Sequence, residues 1–309
     1  MQSTNSVFMI RPAGFMFNRE TAVSNSFQKE TQENFEAIQR KVLIEFDAAV
    51  EKIRTAGVKV YVFDDTLEPQ KPDAIFPNNW ITLHSDGRVI LYPMHAINRR
   101  YERRADLVEK LKLDFSIKEI IDLSYCESSN RFLEGTGSVI FDHQNRIAYA
   151  CLSPRTDKNL FIQVCQLLNY KPIYFSSYDQ GGKLIYHTNV MMCIGSRFAI
   201  ICLESIIDKN ERLLVQSALE NSQHNVIDIT LNQVNNFAGN MLQVLNDKGI
   251  ELLILSQSAF NCLHPSQINQ LEKYVQLVVI NIPTIEKLGG GSTRCMIAEI
   301  FSPLVNSIF

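Results

Sequence analysis

The chain has 309 residues, 46% of them hydrophobic and 20% charged, with 30 basic against 33 acidic side chains. That apolar fraction excludes a wholly disordered chain, and a formal net charge of −3 gives no basic footprint for nucleic acid or an anionic membrane. The partner expected is therefore a small molecule. Seven cysteines, at 126, 151, 165, 193, 202, 262 and 295, include no CxxC pair. This argues against a disulfide framework or a zinc ribbon and for reduced thiols in the cytoplasm. Neither metal-ligand spacing, a phosphate loop nor a dinucleotide fingerprint occurs, so no metal and no cofactor are expected. The N-terminal MQSTNSVFMIRPAGFMFN lacks the pattern of a signal peptide. The longest apolar window, LIYHTNVMMCIGSRFAIICL, is broken by His, Asn and Arg, so no membrane span is expected.

In chain order, residues 27–56 read as an amphipathic helix. Phe35, Ile38, Val42, Phe46, Ala49, Val50 and Ile53 recur every three or four positions, and Gly57 ends the run. The stretch 58–63 (VKVYVF) alternates as a strand does. Further helices are predicted at 101–113, 157–169, 210–220 and 265–274, the last opening on Pro265. Between them lie the strand-like runs VILYPM, SVIFD, RIAYACL, VMMCIG, FAIICLE, NMLQVL and ELLILS. No Pro/Gly/Ser-rich linker or charge block divides the chain, which predicts one α/β domain over 1–309.

Five segments share one plan: a small or amide-bearing motif, a strand, a turn and a second strand. They are NNW-ITLHSDGRVILYP, GTG-SVIFDHQNRIAYACL, HTN-VMMCIGSRFAIICLE, AGN-MLQVLNDKGIELLILS and a C-terminal TRC-MIAEIF. Taken at Asn79, Gly137, Asn189, Asn240 and Cys295, the anchors are spaced by 58, 52, 51 and 55 residues. A fixed period of this size is the signature of a repeat architecture; the plainer alternative is an α/β domain with evenly spaced hairpins. In a ring of five units the anchors would converge at one end of the axis, where a rigid scaffold can aim several loops at one point. Asn78, Asn79, Glu134, His187, Asn189, Asn240 and Cys295 then become candidate site residues before any chemistry is assumed.

Those residues include one Cys, one His and one Glu, the parts of a thiol nucleophile with acid–base support. Cys295 follows GGGSTR, whose glycines allow close backbone approach, and the neighbouring Arg294 and backbone N–H groups would favour a thiolate. Read alone, such a cysteine is as well explained as a small buried hydrophobe, and His187 as a satisfied core imidazole. Their shared repeat position is what singles them out. The other histidines have no comparable neighbours and are read as structural.

The motifs DAIFPNNW (73–80), LEGTG (133–137), LSPRTD (152–157), YHTN (186–189) and GGGSTRC (289–295) together resemble the guanidine-modifying (amidinotransferase-type, pentein) superfamily. The resemblance runs from Arg11 to Cys295, and is strongest to the arginine-deiminase-like branch that uses citrulline, the citrulline ureidases. It implies a five-bladed α/β propeller of pseudo-fivefold ββαβ modules. It implies Cys295 as nucleophile, His187 as general acid and then base, and Glu134 as partner of His187 and of a substrate nitrogen. Asp73 matches a substrate-contacting Asp of dimethylaminohydrolases. Arg155 matches the Arg of an SxRTN motif that holds a substrate carboxylate, with Arg99 a second candidate for that role.

Two departures bear on the substrate. Where the superfamily carries acids in its guanidinium-binding motif this chain has Asn78 and Asn79, and where arginine deiminases carry an Asp two residues after the His it has Asn189. A guanidinium offers only N–H donors and suits carboxylates, whereas an amide can accept from a ureido NH2 and donate to its oxygen. The expected activity is hydrolysis of the ureido group of L-citrulline to ornithine, CO2 and ammonia through a cysteine adduct. The alternatives are hydrolysis of a guanidino compound such as arginine, amidino transfer to an amine, and a non-enzymatic binding module of the same fold. An amino-acid substrate is the expected partner, and homo-oligomerisation is compatible with the sequence.

Overall fold

The computed structural model describes residues 1–305; residues 306–309, the end of the expected 1–309 domain, lie outside the described residues. The first strand, β1 (Ser6–Arg11), is SVFMIR and is buried along nearly its whole length. It runs parallel to β2 (Lys59–Asp64), and the helix Phe35–Thr55 connects them. That helix starts eight residues later than the periodicity suggested. Asn34 caps it, its side chain accepting from the Ala37 N–H at 2.9 Å, and the preceding segment is used elsewhere. Its buried face is the predicted one: Ile38, Val42, Phe46, Ala49, Val50 and Ile53. They share an apolar cluster with Ile282, Ile285 and Leu288.

Four further units repeat one pattern. β3 (Ile81–Leu83) and β4 (Arg88–Leu91) form an antiparallel hairpin, the helix Ala105–Asp114 crosses over, and β5 (Glu119–Asp122) returns parallel to β4. β6 (Ile140–Asp142) and β7 (Ile147–Cys151), helix Lys158–Leu168 and β8 (Lys171–Phe175) follow in the same way. So do β9 (Met192–Ile194) and β10 (Phe198–Ile201), helix Lys209–Asn221 and β11 (Asn225–Asp228). The next unit has β12 (Leu242–Leu245), β13 (Glu251–Ser256), helix Pro265–Leu271 and β14 (Gln276–Ile280). The C-terminal half-unit finds its missing strands at the other end of the chain. β15 (Ala298–Glu299) pairs antiparallel with β1, with Phe8 opposite Ala298. Among the described residues there are thus five three-stranded sheets. The parallel return of each third strand requires a crossover, which a helix supplies.

The turn before each hairpin sits at its repeat anchor: Pro77–Asn79, Gly135–Ser138, Thr188–Met191, the turn closed by Asn240 N–H to Phe237 O (2.9 Å), and that closed by Cys295 N–H to Ser292 O (3.0 Å). Successive turns touch. Thr136 Oγ1 donates to Asn78 O at 3.3 Å, Asn240 Nδ2 to Asn189 O at 2.9 Å and Thr293 Oγ1 to Asn240 O at 3.3 Å. Gly135 is required here: its φ is +46°, and a Cβ would collide with Asn78 O.

Outside these turns, buried His84 and half-buried His143 are each paired with a hydroxyl. His84 Nε2 pairs with Thr82 Oγ1 at 2.8 Å and His143 Nδ1 with Tyr170 Oη at 2.7 Å. Burial pulls His84 down to about 4 and His143 to about 3. Their contribution to stability is present in full above the unfolded value of about 6.5 and is lost as pH falls from there through the folded values. Burial raises Asp73, Glu286 and Glu299, which act in the opposite sense. A variant therefore isolates the effect: His143→Phe is expected to flatten the fall in melting temperature between about pH 6.5 and 4. An unchanged slope would remove the imidazole from the account.

Candidate active site

The turns carry two buried hydrogen-bonded sets, Glu134 with His187 and Cys295 with Asn189 and Asn240, and the two adjoin along the chain where His187 leads the turn that contains Asn189. His187 leads the turn Thr188–Met191, which is pinned to its neighbour where Thr188 Oγ1 donates to Ser138 O at 2.5 Å. Glu134 leads the turn Gly135–Ser138, its own N–H held by Ser138 Oγ at 2.9 Å. The two side chains meet with His187 Nε2 2.7 Å from Glu134 Oε2, while Glu134 Oε1 accepts from His95 N–H at 2.9 Å.

Burial alone would raise the Glu134 carboxyl, but the nearby Arg155, the His187 hydrogen bond and Arg99 outweigh it and hold it below the ordinary carboxylate range. Burial takes the His187 imidazole down to about 4, against the pull of Glu134. The resting pair is thus a carboxylate accepting from the Nε2–H of a neutral ring, so Nδ1 carries the lone pair. Gly137 makes room for that edge: a Cβ there would overlap Asn79 Nδ2 and stand 2.8 Å from His187 Nδ1 and Cε1.

Cys295 Sγ has two amide neighbours, Asn240 Nδ2 at 3.3 Å and Asn189 Nδ2 at 3.4 Å. Asn240 is held by its oxygen, which accepts from Arg294 N–H at 3.1 Å, so its donor face is turned to the sulfur. The same sulfur lies 3.6 Å from Asn240 Oδ1, to which a thiol can donate. The expected cation is not among the sulfur's neighbours. The Arg294 guanidinium is turned to Ile297 O (3.0 Å) and Glu299 (2.9 Å), because the strand that follows offers it a buried carboxylate. The Cys295 N–H is likewise taken up by Ser292 O. The glycine-rich loop is anchored by Glu286, which accepts from Ser258 and Ser292 hydroxyls at 2.6 Å each, and by Tyr186 Oη donating to Gly290 O at 2.7 Å.

The remaining candidates stand around this group. Arg155 lies 3.5 Å from Glu134, stacks 4.7 Å above the Tyr186 ring, and donates to Ser24 Oγ (2.7 Å) and Thr21 O (2.9 Å). Asp73 Oδ2 accepts from Asn18 (2.8 Å) and Thr21 (3.1 Å). Arg99 is engaged bidentately by Glu102, at 2.9 Å to each oxygen, and donates to Asn79 Oδ1 at 2.7 Å. Several buried polar atoms have no protein partner: both amide atoms of Asn78, Asn79 Nδ2, Asn189 Oδ1 and Asp73 Oδ1. These five, of ten such atoms among the described residues, belong to residues singled out from the sequence; the other five, on Ser3, Asp65, Tyr149 and His224, lie on residues that were not. Buried polar atoms without partners are rare enough that the five gathered here mark where a ligand's own groups would fit.

Sequence reasoning did not find the strap over these residues. Asn18, Thr21, Ser24, Asn25 and Gln28 reach Asp73, Arg155 and the backbone at 288–290. These are ordinary polar residues in a segment read partly as helix, and nothing in their spacing signals contacts 55 to 265 positions away. Among the described residues no group of three or more His, Cys, Asp or Glu side chains is arranged to hold a metal. No described helix is long and apolar enough to cross a membrane.

Five hairpin–helix–strand sheets whose leading turns gather a thiol, an imidazole–carboxylate pair and buried amides define a fold of the guanidino-modifying superfamily. The family model described as N,N dimethylarginine dimethylhydrolase, eukaryotic, matches residues 11–302, and the chain belongs to that family. Solved structures agree on the fold. The cyanobacterial arginine dihydrolase ArgZ superposes with a TM-score of 0.74 at 13% identity over 98% of this chain. The N-terminal domain of ArgZ, bound to substrate, does so at 0.73 and 14%, over 96% of this chain and 97% of that domain. A dimethylarginine dimethylaminohydrolase adduct with S-methyl-L-thiocitrulline gives 0.63 at 12%, over 96% of this chain and all of the other. This chain spans 42% of full-length ArgZ. No curated protein is matched by sequence.

Proposed function

We propose that the chain is a cysteine hydrolase that removes the ureido group of L-citrulline, giving ornithine, CO2 and ammonia, on a five-bladed α/β propeller whose axis passes between the anchor turns. The observation that carries the substrate choice is the set of unpartnered amides. Beside Cys295 and His187 the waiting groups are Asn78, Asn79 and Asn189, which offer both donors and acceptors to a neutral ureido group. Arg155 and Asp73 suit the carboxylate and ammonium of an amino acid, the carboxylate replacing the Ser24 and Thr21 contacts. All seven cysteines are free, which fits a reducing cytoplasm.

In this reading the Cys295 thiolate attacks the ureido carbon. Asn79 Nδ2 receives the developing oxyanion, an interaction of the kind that contributes about 10²–10³-fold to rate. His187, having taken the Cys295 thiol proton at Nδ1, gives it to the departing ammonia and leaves a thiocarbamate between Cys295 and the ornithine nitrogen. The neutral ring then takes a proton from water as that water adds to the thiocarbamate. The released carbamate loses CO2 to give ornithine.

The second reading, favoured by the family's own description and by the activity of ArgZ, is hydrolysis of a guanidino compound. Purified protein given citrulline or arginine separates the two. Ornithine and ammonia are expected from citrulline, with kcat/KM for arginine at least about tenfold lower. Equal or faster release from arginine would replace citrulline with a guanidino substrate, and strict dependence on an added amine would indicate amidino transfer.

A further inference from the structure

Arg99 entered as a candidate for holding a substrate carboxylate, yet four of its five donors are already taken by protein groups, with Asp73 3.7 Å from Nε and Glu134 4.0 Å from Nη1 as further carboxylates. Nε and Nη2 pair with the two Glu102 oxygens at 2.9 Å, Nη2 also donates to Phe76 O at 3.3 Å, and Nη1 donates to Asn79 Oδ1 at 2.7 Å. Arg99 and Glu102 are almost wholly buried, and the pair lies within one turn, Asn98–Glu102. A guanidinium has five donors and no acceptor. The Asn79 amide therefore has one permitted orientation, oxygen to Arg99, and its Nδ2 is left buried without a protein partner. That Nδ2 faces the same small space beside Gly137 as the Nδ1 edge of His187.

We propose that Arg99 is a positioning residue that sets the substrate class through Asn79: by taking the amide oxygen it fixes an N–H donor toward the reacting group. A group that offers an acceptor there, such as the carbonyl oxygen of a ureido compound, completes the hydrogen bond. A guanidinium presents N–H against N–H and leaves both unsatisfied. An unmet buried donor of this kind corresponds to a loss of about ten- to a hundredfold in affinity. Glu102 keeps Arg99 in register, and its carboxylate balances the charge so that a neutral amide, not a carboxylate, stands at position 79. The inference rests on the reading of Cys295, His187 and Glu134 as the reacting centre, and adds a cause for the substrate preference.

Binding to Cys295→Ala protein, measured by calorimetry, tests it without any chemistry. Citrulline is expected to bind at least about tenfold more tightly than arginine. Adding Asn79→Asp keeps the Arg99 contact but turns an acceptor inward, and is expected to invert that preference. Adding Arg99→Met with Glu102→Met frees the amide to rotate and is expected to narrow the ratio at least about tenfold, with arginine gaining, a change that general loosening of the site would not produce. The proposal is overturned if arginine binds as tightly as citrulline in the parent, or if Asn79→Asp leaves the ratio within twofold. It is also overturned if the folded Arg99/Glu102 variant leaves the ratio unchanged; should that variant fail to fold, the Asn79→Asp result decides. Citrulline-selective binding without turnover of citrulline by the wild type would sink the proposed activity and leave this inference standing.

Discussion

Cys295→Ala is expected to lower ornithine formation by about 10⁴-fold or more, the scale on which loss of a covalent nucleophile acts, while citrulline still binds. The reason lies in what surrounds the sulfur. Asn189 and Asn240 direct amide hydrogens at Sγ from two neighbouring turns, and Asn240 is locked in that orientation by Arg294 N–H. None of the other six cysteines shares this setting. Cys151, Cys165, Cys193 and Cys202 are pushed up to about 12 by burial, which keeps them as thiols. A steady-state assay together with calorimetry checks the prediction, and residual turnover within tenfold of wild type would remove Cys295 from the reaction.

Glu134→Gln is expected to cost about 10³–10⁴-fold in kcat, because it reverses the polarity of the imidazole. The His95 N–H requires an oxygen at the position of Oε1. The new amide must therefore turn its NH2 toward His187 Nε2, which becomes the acceptor. The ring proton moves to Nδ1, and the resting imidazole no longer has a lone pair on its inner edge. The substitution also strips Arg155 and Arg99 of a nearby carboxylate, and breaking a buried ionic group in this way costs on the order of 3–5 kcal/mol. Both a fall in melting temperature and a displaced pH profile for kcat should accompany the loss of rate. A variant with wild-type kcat and pH profile would show that the carboxylate only fills space.

Much of this arrangement was legible in the sequence because repetition carries information that local propensity does not. The 50-odd-residue spacing of Asn79, Gly137, Asn189, Asn240 and Cys295 put five turns in equivalent places, and in the structure successive turns among them are joined by hydrogen bonds. The amphipathic face of Phe35–Thr55 was readable for the same reason, its period being physical. Its start was not. The strength of the Asn34 cap is visible only once the chain before it is known to be occupied at Asp73 and Arg155.

Strand β1 was missed because a central strand buried on both faces shows no alternation, and its partner Ala298 lies at the other end of the chain. Sequence reading also assigned charges by proximity: Arg294 is adjacent to Cys295 but spends its guanidinium on Glu299. Arg99 was read as a candidate for the substrate carboxylate without account of Glu102, three residues on, which engages its guanidinium.

Attack of Cys295 on a ureido carbon can be trapped by rapid acid quench of the protein with citrulline carrying a labelled ureido carbon, followed by intact and peptide mass measurement. An adduct on Cys295 with the mass of citrulline less ammonia is expected, retaining the label and followed by labelled CO2. An adduct formed with arginine and absent with citrulline, or turnover of citrulline by Cys295→Ala, would contradict it.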